Sequence, residues 1–212
     1  MPDGAAVNEV ERSRLLEMLP QLLDEGDILV AGGSLPGGVP EDFYLAVINT
    51  AREKGARVVL DTSGEALRKS IDGKIYLLKP NMRELAQVSE GDIGNEERQV
   101  EAARRVVTKR EVGFVLLSLG AAGALLVSGQ GTLRIRTPTV SVESKVGAGD
   151  SMVAGTVCGM QRGYPIKEAV LLGVAAGAAA VMTPGSELCR PQDTFRLYEH
   201  LKTEYAGNDI GS

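Results

Sequence analysis

Residues 57–81, RVVLDTSGEALRKSIDGKIYLLKPN, decide the fold. Arg57–Leu60 is a short apolar run that ends at Asp61. A short helix is expected after Ser63. Lys74–Leu78 is a second apolar run, and it ends at Lys79-Pro80-Asn81. Runs that are apolar without alternation suit strands buried on both faces, as in a parallel sheet covered by helices. The segment between them is long enough for a right-handed crossover.

The same alternation extends outward in both directions. Towards the N-terminus, Asn8–Asp24 reads as a helix with Asn8 and Glu11 at capping-box spacing. Asp27–Ala31 is a strand, stopped by the glycine- and proline-rich turn 32–38, and a helix follows from about Pro40 to Lys54. Towards the C-terminus, helices are expected from Asn81 and over Glu96–Lys109, then a strand over Phe114–Leu119. Ala124–Val127 and Thr132–Arg136 read as a hairpin turned at residues 128–131, and the chain past Gly147 is mostly helical. No low-complexity linker interrupts this order, so residues 1–212 are expected to form a single α/β domain.

Composition limits the function. A net charge of -5 argues against a nucleic-acid groove, which needs a basic field, but leaves room for small phosphorylated ligands. Cys158 and Cys189 make no disulfide framework or zinc knuckle, and read as reduced thiols of a cytosolic protein. Met1 is followed by Pro-Asp-Gly, so no signal peptide is expected. The longest apolar tract, Val170–Met182, contains Gly173 and Gly177 and is too short to span a bilayer. No G-x-x-x-x-G-K-[ST] run occurs, and no G-x-G-x-x-G follows the first strand, so P-loop and dinucleotide-binding readings fall away. His200, the sole histidine, lies far along the chain from every motif, which disfavours a Ser-His-Asp hydrolase.

Ligands of open α/β sheets gather at the carboxyl ends of the strands. Four polar or glycine-rich turns fall there: 32–36, 61–63, 79–81 and 118–120. The strongest local signal is Val146-Gly147-Ala148-Gly149-Asp150-Ser151. Its glycines let a backbone approach a ligand, and the unpaired N–H groups of the following helix suit an anionic oxygen. Asp150 stands where it can take a proton from a substrate hydroxyl or simply complement the helix dipole; the segment alone leaves both open. Asn81 and Glu84 likewise have capping-box spacing, which by itself accounts for both.

Residues 146–151 resemble the signature of the ribokinase/PfkB sugar-kinase family. Other segments match in order: Gly33-Ser34-Leu35-Pro36, Lys79-Pro80-Asn81 with Glu84, Ser118-Leu119-Gly120 with Gly123, and Val174–Gly177. Residues 61–67 and Leu188-Cys189 are similar to the family's minor bacterial 6-phosphofructokinase branch. The resemblance implies a three-layer α/β/α ribokinase-like fold with a mainly parallel sheet. It implies ATP-dependent phosphoryl transfer to a hydroxyl of a phosphorylated ketohexose, with fructose 6-phosphate converted to fructose 1,6-bisphosphate. The 1-phosphofructokinases and tagatose-6-phosphate kinases share the pattern, and a non-catalytic nucleotide-binding fragment acting in an assembly is the other alternative. Asp150 is then the catalytic base, with Gly147, Ala148 and Gly149 as an anion hole. Lys79, Asn81, Ser118, Gly120, Gly123, Val174 and Ala178 serve the nucleotide, and Ser34 with Asp150 serves the sugar. Glu84 helps hold Mg²⁺. A monovalent cation, K⁺, maps to Ser144, Val146, Ala180, Thr183 and Gly185, although Glu187 stands where related enzymes carry a basic residue. The resemblance further implies a cytoplasmic homo-oligomer. Measured against the family pattern, the N-terminal third is expected to be missing, together with the first strands of the sheet and the β-lid.

Overall fold

A computed structural model describes residues 6–89, 92–208 and 210. The chain divides into two compact units, one up to Val115 and one from Leu116.

The first unit repeats helix and strand: α1 (Glu9–Leu22), β1 (Ile28–Gly32), α2 (Phe43–Glu53), β2 (Arg57–Asp61), α3 (Gly64–Ser70), β3 (Leu77–Leu78), α4 (Met82–Val88), α5 (Glu96–Lys109) and the start of β4 (Phe114–Ser118). Helix starts follow local chemistry. Asn8 and Glu11 form a reciprocal capping box on α1, and the Asn95 side chain caps α5 at Arg98 N–H. β1 pairs parallel with β2 from Ile28↔Arg57 to Gly32↔Asp61, and β3 pairs parallel with β2 and with β4. Val59, Leu60, Leu67, Leu77 and Leu85 are fully buried and form the core of this unit. Among the expected strands, Lys74–Leu78 shrinks to Leu77–Leu78. Ile75 and Tyr76 still make ladder-like bonds, with Gly113 N–H and Phe114 N–H donating to their carbonyls.

The second unit holds the end of β4, a 3₁₀ turn (Gly120–Ala122), the hairpin β5 (Ala124–Ser128) and β6 (Thr132–Ile135), and helices α6 (Ala148–Gln161), α7 (Ile166–Ala180) and α8 (Pro191–Glu204). β5 and β6 pair antiparallel from Ala124↔Ile135 to Val127↔Thr132. α7 is buried from Ala169 to Ala180 and packs on both α6 and α8. Helices approach this closely because glycines face them. A Cβ on Gly173 would meet Thr156 Oγ1 at 2.0 Å, and one on Gly159 would meet Ala169 Cα at 2.6 Å.

Two fold expectations are corrected. The strand order is β1-β2-β3-β4-β5-β6, parallel through β4 and antiparallel at the hairpin, so the sheet is mixed. The N-terminal strands expected to be missing are present. β1 and β2 pair over five residues, held by a β2 whose Val58, Val59 and Leu60 are buried.

Candidate active site

Within the second unit, residues 147–151 open helix α6. Gly147 takes the left-handed conformation, φ 76°, as the N-cap of α6, and no atom stands where its Cβ would be. Ala148, Gly149 and Asp150 form the first turn, where helix N–H groups lack intrahelical acceptors. Asp150 is exposed, and its carboxylate has no hydrogen-bond partner among the described residues.

Beside this turn lies a cleft of about 490 Å³. Ala148, Gly149 and Met152 of α6 line it, as do Val174, Gly177 and Ala178 of α7, with Ser118 and Gly120 at the end of β4. Four of the residues expected to serve a nucleotide, Ser118, Gly120, Val174 and Ala178, thus share one wall system with two of the anion-hole residues. Gly123 does not line the cleft. At φ 102° its missing Cβ leaves room for Ile135 O, which a side chain would meet at 2.1 Å, so Gly123 closes the hairpin. The sequence reading missed the opposite wall, Thr137–Val140, Val142 and Lys145. That wall is an irregular segment with no periodicity to betray it.

The residues expected around K⁺ are also in this unit. Glu143 N–H and Ser144 N–H donate to Val181 O, at 2.8 and 3.3 Å, and Val146 N–H donates to Ser144 Oγ. The Thr183 hydroxyl lies 2.8 Å from both Ala180 O and Glu187 O. The loop before α6 and the turn after α7, which contains Gly185 at φ 60°, are therefore tied together. The Glu187 carboxylate turns to Arg190, 3.0 Å away.

In the first unit, the ends of β1, β2 and β3 carry the remaining candidates. Lys79 is only 5% exposed, and its Nζ lies 3.0 Å from Asp61 Oδ1, on the neighbouring strand end. The Asn81 side-chain oxygen accepts from Arg83 N–H and Glu84 N–H, while Glu84 Oε2 accepts from Asn81 N–H at 2.8 Å. The capping box is thus real, and it uses one oxygen of each side chain. Ser34 is exposed. The turn before it is fixed by two groups: Thr62 Oγ1 donates to Gly33 O at 2.7 Å, and Tyr44 Oη donates to Gly32 O at 2.8 Å. Burial raises the Tyr44 phenol above its ordinary pKa, which keeps it a donor. Tyr44 was invisible in the sequence because it reaches the turn from α2.

Among the described residues no three His, Cys, Asp or Glu side chains converge as a metal cluster. None of the described helices is long and apolar enough to cross a membrane. His200, on α8, lies 3.9 Å from Glu204 and belongs to no site. Cys158 and Cys189 are unpaired.

Comparison with known proteins bears on these observations. The chain is 37% identical over 199 residues to the ATP-dependent 6-phosphofructokinase isozyme 2 of Escherichia coli (strain K12), covering 93% of this chain and 64% of that protein. It is 36% identical over 180 residues to a 1-phosphofructokinase of Bacillus subtilis, covering 85% of this chain and 59% of that protein. Two solved structures of phosphofructokinase-2 from Escherichia coli, one in complex with potassium and one of its tetrameric inhibited form, superpose with TM-scores of 0.90 and 0.87. Both are 36% identical, and the match covers 95% of this chain and 65% of each. The chain thus spans somewhat less than two thirds of the length of these relatives. The family model described as pfkB family carbohydrate kinase matches residues 3–193, with α1, β1 and β2 inside the match. This overturns the expectation that the family's N-terminal third, with its first strands and β-lid, is missing. With nine-tenths of its length inside that match, the chain belongs to the pfkB family of carbohydrate kinases.

Proposed function

We propose that this chain transfers the γ-phosphoryl group of MgATP to the C1 hydroxyl of fructose 6-phosphate, giving fructose 1,6-bisphosphate and ADP. One observation carries the proposal: the cleft that gathers Ser118, Gly120, Val174 and Ala178 opens onto the first turn of α6, where Asp150 has no partner among the described residues. The similarity to the 6-phosphofructokinase isozyme 2 of Escherichia coli supports the substrate. The Asp150 carboxylate takes the hydroxyl proton as that oxygen attacks phosphorus and the bond to the ADP oxygen breaks. Backbone N–H groups of Gly147, Ala148 and Gly149 hold the charge of the transferring group. Ser34 holds the sugar phosphate's hydroxyl side.

Lys79, Asn81 and Glu84 are proposed to serve the nucleotide and its metal. Lys79 keeps donors to spare after its ion pair with Asp61, since an ammonium has three. The amide NH₂ of Asn81 remains after its oxygen is used in the cap. Glu84 Oε1, left over from the capping box, can hold Mg²⁺ through water. A Mg²⁺ carried largely by substrate phosphates would neutralise developing charge there. Carbonyls and hydroxyls of Ser144, Val146, Ala180, Thr183 and Gly185 suit K⁺, which would steady the anion hole. A relative solved with potassium supports this. We further propose a cytoplasmic homo-oligomer, since a relative is solved as a tetramer.

Fructose 1-phosphate is the second substrate to weigh, given the similarity to a 1-phosphofructokinase. Coupled ADP-release assays with fructose 6-phosphate, fructose 1-phosphate and tagatose 6-phosphate separate the readings. The highest kcat/KM is expected with fructose 6-phosphate. A higher value with another sugar phosphate replaces the substrate, and ADP release with none overturns the kinase reading.

A further inference from the structure

Among the described residues, Lys145 is the single charged side chain lining the cleft of about 490 Å³. The other walls are apolar or carry small hydroxyls, such as Val140, Val174 and Val181 beside Ser118 and Thr139. Lys145 lies two residues before the N-cap of α6 and is exposed, with no ion pair or hydrogen bond among the described residues. Three other cations of this unit have carboxylate partners: Arg190 pairs with Glu187, Arg196 with Asp193, and Lys202 with Glu168. An unpaired cation held at the mouth of an apolar cleft, in a protein of net charge -5, is placed to receive an anionic ligand. The cleft offers apolar walls for a flat heterocycle and one positive charge next to the helix N-terminus where phosphate is expected.

We propose that Lys145 is a nucleotide-binding residue that contacts the polyphosphate of the nucleoside triphosphate, adding to the contacts already assigned. The inference rests on the kinase reading above. It makes Lys145 an electrostatic anchor for the triphosphate, so its contribution follows the charge of the ligand and fades with salt. The base and ribose do not depend on it.

Calorimetric titration of the full chain tests this with MgATP and with adenosine, at low and high salt, for wild type, Lys145→Met and Lys145→Arg. Methionine keeps the apolar stem and removes the charge. Lys145→Met is expected to weaken MgATP about tenfold or more, the range of one charge-assisted hydrogen bond, and to leave adenosine binding unchanged. Lys145→Arg should retain most of the affinity, and the wild-type loss at high salt should shrink in Lys145→Met. Equal MgATP affinity in wild type and Lys145→Met overturns the inference while sparing the kinase reading. A parallel loss of adenosine affinity overturns it too, since Lys145 would then only shape the cleft. No MgATP binding by wild type at millimolar concentration overturns both the inference and the reading it rests on.

Discussion

Asp150 is the proposed catalytic base. It sits in the first turn of α6 with a left-handed glycine cap before it and, among the described residues, no partner for its carboxylate. A carboxylate that merely served the helix dipole would contribute about 0.3–1 kcal/mol to stability and nothing to rate. A general base contributes about 10² to 10⁴ in rate. Asp150→Asn keeps the size and a polar first-turn group, so the two roles separate. We expect kcat to fall about 10²- to 10⁴-fold with a melting temperature close to wild type; an unchanged kcat would assign Asp150 to the dipole alone. Other site residues do structural work first. Lys79 is ion-paired with Asp61, and Asn81 and Glu84 cap α4 through each other. The capping box was legible from an Asn followed three positions later by Glu. The Lys79–Asp61 pair was not, because the two residues are eighteen apart and meet only through the parallel pairing of β2 and β3.

At the scale of elements, α7 forms from the apolar tract that is too short to span a bilayer, and its glycines carry a definite geometric demand. Gly173 lies against Thr156 and Met152 O of α6, with no space for a methyl group. Gly173→Ala should lower stability by about 1–3 kcal/mol through overpacking, whereas Gly129→Ala, facing open space in the hairpin turn, should be near neutral. Thermal or urea melts of the two variants decide this, and equal midpoints would refute the packing argument. α7 is also tied to α8: Glu168 accepts from Tyr198 Oη at 3.1 Å and pairs with Lys202 at 3.2 Å. Desolvation works to raise the Glu168 pKa, but the bonds from Lys202 and Tyr198 outweigh it and the net shift is downward. A carboxyl whose folded pKa lies below its unfolded value of about 4.3 stabilises fully above that value and loses the contribution as pH falls through the folded pKa. Glu168→Gln should therefore cost little, about 1 kcal/mol or less, at neutral pH, and should flatten the acid limb of stability below about pH 4.3. An acid limb identical to wild type would show that this contact contributes nothing. Elements with clear local signals, such as α5 over Glu96–Lys109, were legible in the sequence; β3 was not, because its length depends on which neighbours reach it.

Across the whole molecule, the alternation of apolar strands and helices was enough to expect an α/β fold, and the motif order was enough to expect the family. The expectation that the fold's N-terminal strands are missing fails, because the local strand signals at 27–31 and 57–60 pair as β1 and β2. The cleft was legible on one side only. Its glycine and small-residue walls lie on regular elements, whereas Thr137–Val140, Val142 and Lys145 come from irregular chain that takes its place only in the folded unit. The central claim is that this chain phosphorylates fructose 6-phosphate from MgATP. Its most direct test is ADP release by the purified 212-residue chain, measured with and without fructose 6-phosphate at saturating MgATP and K⁺. The account predicts ADP formation that depends on fructose 6-phosphate, matched by an equal yield of fructose 1,6-bisphosphate. ADP formation no greater with the sugar phosphate than without it would contradict the account.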